Sequence, residues 1–180
     1  LDCRTLDYTY HPLDLHDFAL VLCNTRVKHS LASSAYNERR RECAQGADFF
    51  RENGHPEVTH LRDVQPAWLE ASRNEMGPVV YKRSRHVVHE NERVGQAARA
   101  LGQGKLGELG QLLYQSHDSL AQDYEVSCPE LDFLVGLTRE DSRVAGARMM
   151  GGGVGGCTLH LVQKDYLPAS SAKAGQAYKE

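Results

Sequence analysis

Residues 151–156 read GGGVGG, and so dense a glycine cluster restricts what can be built around it. Lacking a Cβ, glycine enters positive φ freely and lets another group approach where a side chain would collide. An apolar lead-in (144–150) precedes the cluster and CTLHLV (157–162) follows it. In the second run Thr158 and His160 share one face, with Cys157, Leu159 and Leu161 on the other. That alternation predicts a strand, so the unit is strand, glycine loop, strand. Successive free N–H groups in such a loop can form a concavity for phosphate or another anion.

Gly151, Gly153 and Gly156 satisfy GxGxxG, but a dinucleotide fingerprint opens a helix after its glycines, and here a strand follows. A Walker loop needs Gly-Lys-Ser/Thr, which is absent, and no HRD or DFG accompanies the loop as in protein kinases. On spacing alone, a hairpin whose glycines serve only tight packing explains the cluster equally well.

At 180 residues the chain can bury a substantial core, as one domain or two small ones. A net charge of -3 gives no electrostatic case for nucleic acid or an anionic membrane surface. No apolar run approaches the ~20 residues of a membrane span. Cys3, Cys23, Cys43, Cys128 and Cys157 are odd in number and lack a C-x-x-C pair, which favours reduced thiols in a cytoplasmic protein over a disulfide framework or zinc site. The first residues lack a signal-peptide pattern, and both ends look cut.

Along the chain, 3–12 is turn-terminated, with Leu6, Tyr8 and Tyr10 on one face, and FALVLC (18–23) predicts a strand buried on both faces. A helix follows, capped by Ser33 or Ser34 and running to Phe50. Tyr36, Cys43 and Phe50 recur every seven residues, so periodicity alone assigns Tyr36 to the core. Arg39, Arg40 and Arg41 between Glu38 and Glu42 suggest a solvated helix face. A short helix over 63–73 carries Trp68. A long helix over 78–101 has the stripe Val80, Val87, Val94, Leu101, and a partner over 106–124 has Leu106, Leu109, Leu113 and Leu120. Joined by glycines, these two predict a helical hairpin. Cys128-Pro129 opens a helix to about 141, and a weak helix lies near 172–178.

His86 and His89 stand at i,i+3 without a third ligand, so the spacing assigns no metal and leaves both as surface polar positions. His117 and Asp118 are not supported as a catalytic pair, and no Gly-x-Ser-x-Gly elbow exists. Composition and spacing reach an α/β domain with a glycine hairpin able to bind phosphate.

Four blocks carry a resemblance. GARMMGGGVGGCT (146–158) resembles the third signature motif of the GHMP small-molecule kinases in its galactokinase form. KHSLASSAYNERRREC (28–43), RHVVHENERV (85–94) and SHDSLAQDYEVSCPELD (116–132) resemble galactokinase blocks in the same order and spacing. Val154 stands where the family usually has an aromatic residue, and Lys28 where arginine is common.

The resemblance implies the C-terminal half of a galactokinase: an α+β GHMP-kinase C-terminal domain of ferredoxin-like strands plus a helical layer, at 26–180. Residues 1–25, strand-rich, would supply the last strands of the N-terminal domain and cross over, and a final strand would lie beyond the chain. It implies ATP-dependent, magnesium-assisted phosphorylation of the anomeric hydroxyl of D-galactose by a cytoplasmic enzyme, monomeric when full length. It implies that Tyr36 contacts the sugar and that Lys28, Ser30, Gly151, Gly152, Gly153, Gly155 and Gly156 lie near the phosphates, with Ser33 a weaker candidate. No catalytic residue and no metal ligand falls within the chain, since the implied aspartate lies upstream of Leu1, so the chain alone is expected to be inactive. A non-catalytic galactokinase-like sugar sensor and an N-acetylgalactosamine kinase fit the same residues.

Overall fold

The glycine hairpin forms as its spacing predicts. In the structure, a computed structural model describing residues 1–27 and 32–178, strands β2 (Val144–Met149) and β3 (Cys157–Gln163) pair antiparallel, with an irregularity between Val144 and Gly146. A further strand, β1 (Phe18–Asn24), pairs antiparallel with β3 from Phe18 opposite Gln163 to Asn24 opposite Cys157. The sheet order is β1-β3-β2.

β1 departs from the reading of a strand buried on both faces. It is an edge strand, and Leu20 and Leu22 are 43% and 60% exposed. On its other face Val21 packs with Val144, Val162 and Tyr166. A continuous apolar run fits a strand buried on both faces or an exposed edge, and only the neighbours decide. Residues 1–17 contain no strand.

The helical hairpin is α3 (Pro78–Gly102) and α4 (Leu106–Gln122), turned through Gly104 at φ +66°. Both amphipathic faces meet in a cluster of Ala100, Leu106, Leu109 and Leu161, flanked by Phe18, Leu113 and Ala145. Helix α4 also runs along the outer side of β2. There Gly110 and Gly146 face each other backbone to backbone: a Cβ on either would fall well inside contact distance of the other strand or helix, against the Ala145 and Gly110 carbonyls respectively. His117 of α4 finishes the seam, its Nδ1 accepting from the Met149 N–H at 3.2 Å. An edge strand's free donor is thus satisfied by a helix side chain.

Helix α1 (Ala32–Glu52) packs on the far side of α3, closest where Gly46 meets Ser84. A 3-10 turn (Leu61–Asp63) and α2 (Pro66–Ala71) close this layer over Phe50, Val58, Leu69 and Val88. On the opposite sheet face lie α5 (Pro129–Gly136), whose Val135 meets Ala147 and Tyr114, and α6 (Leu167–Ala177). Three antiparallel strands with helices on both sides make the α+β domain that the resemblance implies.

Several local expectations shift. The α3 stripe fails at Val94, which is 64% exposed; the buried positions are Tyr81, Arg83, Ser84, His86, Val88 and Ala100. His86, read as a surface residue, is 6% exposed, with its ring stacked on Tyr124 and Nδ1 2.9 Å from Ser119 Oγ. Burial pushes its pKa down to about 4, so it packs as the neutral imidazole. Helix α5 ends at Gly136, short of 141, and α6 begins at Leu167, earlier than expected.

Helix α4 reaches β2 only because two glycines coincide, so Gly146→Ala or Gly110→Ala should destabilise the fold by ~3 kcal/mol or more through backbone overpacking. Chemical denaturation of each variant measures this. A loss below about 1 kcal/mol in both would show that the seam can relax.

Candidate functional site

The hairpin tip carries positive φ at Gly151, Gly153, Val154, Gly155 and Gly156. Two of these glycines are required by their neighbours. A Cβ on Gly153 would collide with the Val126 carbonyl, and one on Gly155 would press on Val27 at 3.0 Å. Gly151 and Gly152 are exposed with nothing near them, so the tip offers open backbone there.

Both flanks of the tip are tied down. On one side Thr25, at the exit of β1, donates from both its N–H and its Oγ1 to the Gly156 carbonyl, each at 2.8 Å. Tyr178 Oη in turn donates to the Thr25 carbonyl at 2.6 Å. On the other side the Val154 N–H donates to the Val126 carbonyl at 2.7 Å. Val126 ends the short connection after α4, where Glu125 also takes positive φ, at +53°.

That connection is gripped by α1 and α3. Arg39 donates from Nε to the Tyr124 carbonyl at 2.6 Å and from Nη2 to the Glu125 carbonyl at 3.3 Å. Arg83 donates from Nη1 to the Asp123 carbonyl at 2.5 Å and from Nη2 to Glu125 Oε2 at 2.8 Å. Glu42 Oε2 accepts from both, at 2.7 Å from Arg39 and 2.9 Å from Arg83. Arg39 was read as part of a solvated face, but it is only 9% exposed, whereas Arg40 and Arg41 are exposed. A run of alternating charges looks solvated in sequence because backbone acceptors brought from 85 residues away leave no trace in its spacing.

Tyr36 lies one turn before Arg39 on α1. Against the periodicity it is 63% exposed, while Phe50 at the other end of the same heptad row is 1% exposed. The spacing fixes a shared helix face, but the layer packed over α1 takes in Cys43, Ala47 and Phe50 and does not extend to Tyr36. Tyr36 is therefore free to meet a ligand. Ser33 falls in the first turn of α1. Lys28 and Ser30 lie outside the described residues.

The remaining histidines near the sheet hold structure. His160 is buried with Nε2 2.6 Å from Thr158 Oγ1, and burial pushes its pKa down to about 4. His117 Nε2 lies 3.2 Å from Asp132 Oδ1, so this one ring joins α4, β2 and α5, while Asp118 pairs with Arg139. His89 rests on Glu92 and Glu70. Among the described residues no group of three or more His, Cys, Asp or Glu side chains could hold a metal ion. No helix there is long and apolar enough to cross a membrane.

Val154 is a β-branched residue held at φ +61°, a conformation that costs about 1–2 kcal/mol for ordinary side chains. Val154→Asn should therefore raise stability by about 0.5–1 kcal/mol, while Gly153→Ala should lower it by about 2 kcal/mol or more. Thermal unfolding of the two variants should give shifts of opposite sign; matching signs would contradict the strained geometry.

Comparison with known proteins gives this arrangement a family. Residues 97–179 match the family model described as GHMP kinases C terminal. The chain is 44% identical over 168 residues to a galactokinase of Bos taurus, covering 93% of this chain and 41% of that protein. It is 38% identical over 184 residues to a galactokinase of Bacillus subtilis, covering 100% of this chain and 46% of that one. The chain thus spans under half the length of the curated relatives it matches. The structure superposes on Lactococcus lactis galactokinase complexed with galactose with a TM-score of 0.92 and 37% identity, over 99% of this chain and 46% of that one. A mevalonate kinase of L. major shares the fold at a TM-score of 0.54 and 22% identity, over 89% of this chain and 38% of that one. Residues 97–179 thus form a GHMP-kinase C-terminal domain, and the chain as a whole is similar to galactokinases in sequence and fold.

Proposed function

We propose that the protein carrying this chain is a galactokinase, which transfers the γ-phosphoryl group of ATP to the anomeric hydroxyl of D-galactose and yields galactose 1-phosphate. What carries the reading is the likeness to a galactose-bound galactokinase over 99% of the chain. Its agreement with the four sequence blocks, Tyr36 among them, adds support.

In this reading the Tyr36 hydroxyl, exposed on α1, hydrogen-bonds a sugar hydroxyl. The open backbone at Gly151 and Gly152 turns N–H groups toward the sugar or the phosphates, and Gly153, Gly155 and Gly156 shape the loop that presents them. Lys28 and Ser30 are assigned near the phosphates by motif. Phosphoryl transfer relies on positioning and charge stabilisation by several groups together. The carboxylate that orients the attacking hydroxyl and the loop that cradles the nucleotide are assigned outside these 180 residues, so the chain alone is proposed to be inactive. Magnesium, implied by the family, finds no fitting set of ligands among the described residues, and no step here runs through it. Residues 1–25 are proposed as the passage from the N-terminal domain and 26–180 as the C-terminal domain, with β1 bridging the two readings through its pairing with β3. A cytoplasmic, monomeric enzyme completes the proposal.

Tyr36 tests it. In the full-length protein, Tyr36→Phe should raise KM for galactose while leaving KM for ATP nearly unchanged. Losing one hydrogen bond to an uncharged hydroxyl amounts to about 0.5–1.5 kcal/mol, or up to roughly tenfold. An unchanged galactose KM would remove Tyr36 from the sugar site.

A further inference from the structure

We infer that Arg39, Arg83 and Glu42 form a clamp that sets the position of the glycine-loop tip relative to the Tyr36 helix. The inference rests on the galactokinase reading for its consequence in activity, though not for its geometry.

Three successive backbone carbonyls, those of Asp123, Tyr124 and Glu125, each accept from a guanidinium: Arg83 takes the first and Arg39 the other two. Both arginines are themselves buried, at 9% and 3% exposed. A buried guanidinium is costly unless nearly every donor is used. Here the shared Glu42 oxygen compensates the charge and fixes the angle between the two forks. Lys82 adds a contact at 3.1 Å to the outer oxygen of Glu125.

The grip holds a strained segment. Glu125 sits at φ +53° without being glycine, and the residue it delivers, Val126, accepts from Val154, another non-glycine residue in the left-handed region. Two strained residues joined through one carbonyl mark a place where conformation is imposed by its surroundings. The imposed conformation places the Val126 carbonyl directly against Gly153, so the tip cannot slide inward.

The consequence is mechanical. Arg39 is on the same helix as Tyr36, one turn on. The route from Tyr36 to the Val154 N–H runs through one turn of helix, the Arg39 hydrogen bonds to the Tyr124 and Glu125 carbonyls, the backbone on to Val126, and the Val126 carbonyl. It fixes the helix assigned to the sugar against the loop assigned to the phosphates. In a reaction governed by alignment, displacement on the order of 1 Å costs up to about a hundredfold in rate. Arg39, Arg83 and Glu42 are thus positioning residues; none is assigned contact with the reacting atoms.

Lysine keeps the charge but cannot reach two carbonyls and a carboxylate with one fork. Arg39→Lys and Glu42→Gln in the full-length protein test the clamp with little change in volume. Amide hydrogen exchange at Val154 should quicken at least tenfold in both variants, with the amides of 157–163 and of α3 unchanged. The kcat for galactose phosphorylation should fall about tenfold, with less than twofold change in KM for ATP. Uniformly faster exchange across the domain would make the arginines ordinary stabilising residues and overturn the clamp, as would wild-type exchange at Val154. If the exchange pattern appears in a protein that does not phosphorylate galactose, the clamp stands and the galactokinase reading falls.

Discussion

The contact between Gly110 and Gly146 sets the distance on which the rest of the domain depends. Removing both side chains brings α4 onto β2 at backbone range, where carbonyl and Cα replace the usual interleaved side chains. From that seam outward the layers follow: α3 packs on α4, α1 on α3, and the sheet turns its other face to α5 and α6. His117, which accepts from β2 and reaches toward α5, lies along the same seam. A Cβ at either glycine would push the helical layer off the sheet. The segment following α4 would move with it, and that segment supports the glycine tip.

The tip itself is rigid for reasons unlike those of the core. Few apolar contacts hold it. Instead it is held by hydrogen bonds from Thr25 on one flank and Val126 on the other, the latter backed by two buried arginines. Such an arrangement keeps backbone groups available at Gly151 and Gly152 while fixing their surroundings. Preorganised dipoles that need not rearrange during reaction are the main means by which a protein stabilises developing charge. The glycines then serve two separate ends. Gly153 and Gly155 admit their neighbours closely, and Gly151 and Gly152 leave space for a ligand.

Much of this is legible in the chain. The hairpin, the α3–α4 pair and the helix bearing Tyr36 all follow from alternation, heptad spacing and the glycine turns, because each signal is local. What failed is non-local. Arg39 read as a solvated charge because its acceptors are backbone carbonyls 85 and 86 residues away. His86 read as a surface residue, though Ser119 and Tyr124 of another segment enclose it. Tyr36 and Val94 read as core because seven-residue spacing fixes a shared helix face but not whether a neighbour covers it there, and β1 read as fully buried because an edge strand can be just as apolar. Gly110, unlike the conspicuous glycine cluster, is one of two scattered glycines in its helix and gives no sign of its partner. For the site, the glycine loop and Tyr36 are assigned by motif alone, and the hydrogen bonds that link them leave no trace in the spacing.

The most direct test of the central claim is coupled ADP release with ATP and magnesium, comparing the full-length protein with residues 1–180 alone, each with and without galactose. The account predicts galactose-dependent ADP formation by the full-length protein and none above the no-enzyme blank by the isolated chain. A full-length protein that binds galactose without producing ADP would contradict the catalytic reading. Galactose-dependent turnover by the isolated chain would show that catalytic groups lie within these residues, contrary to the roles assigned to them.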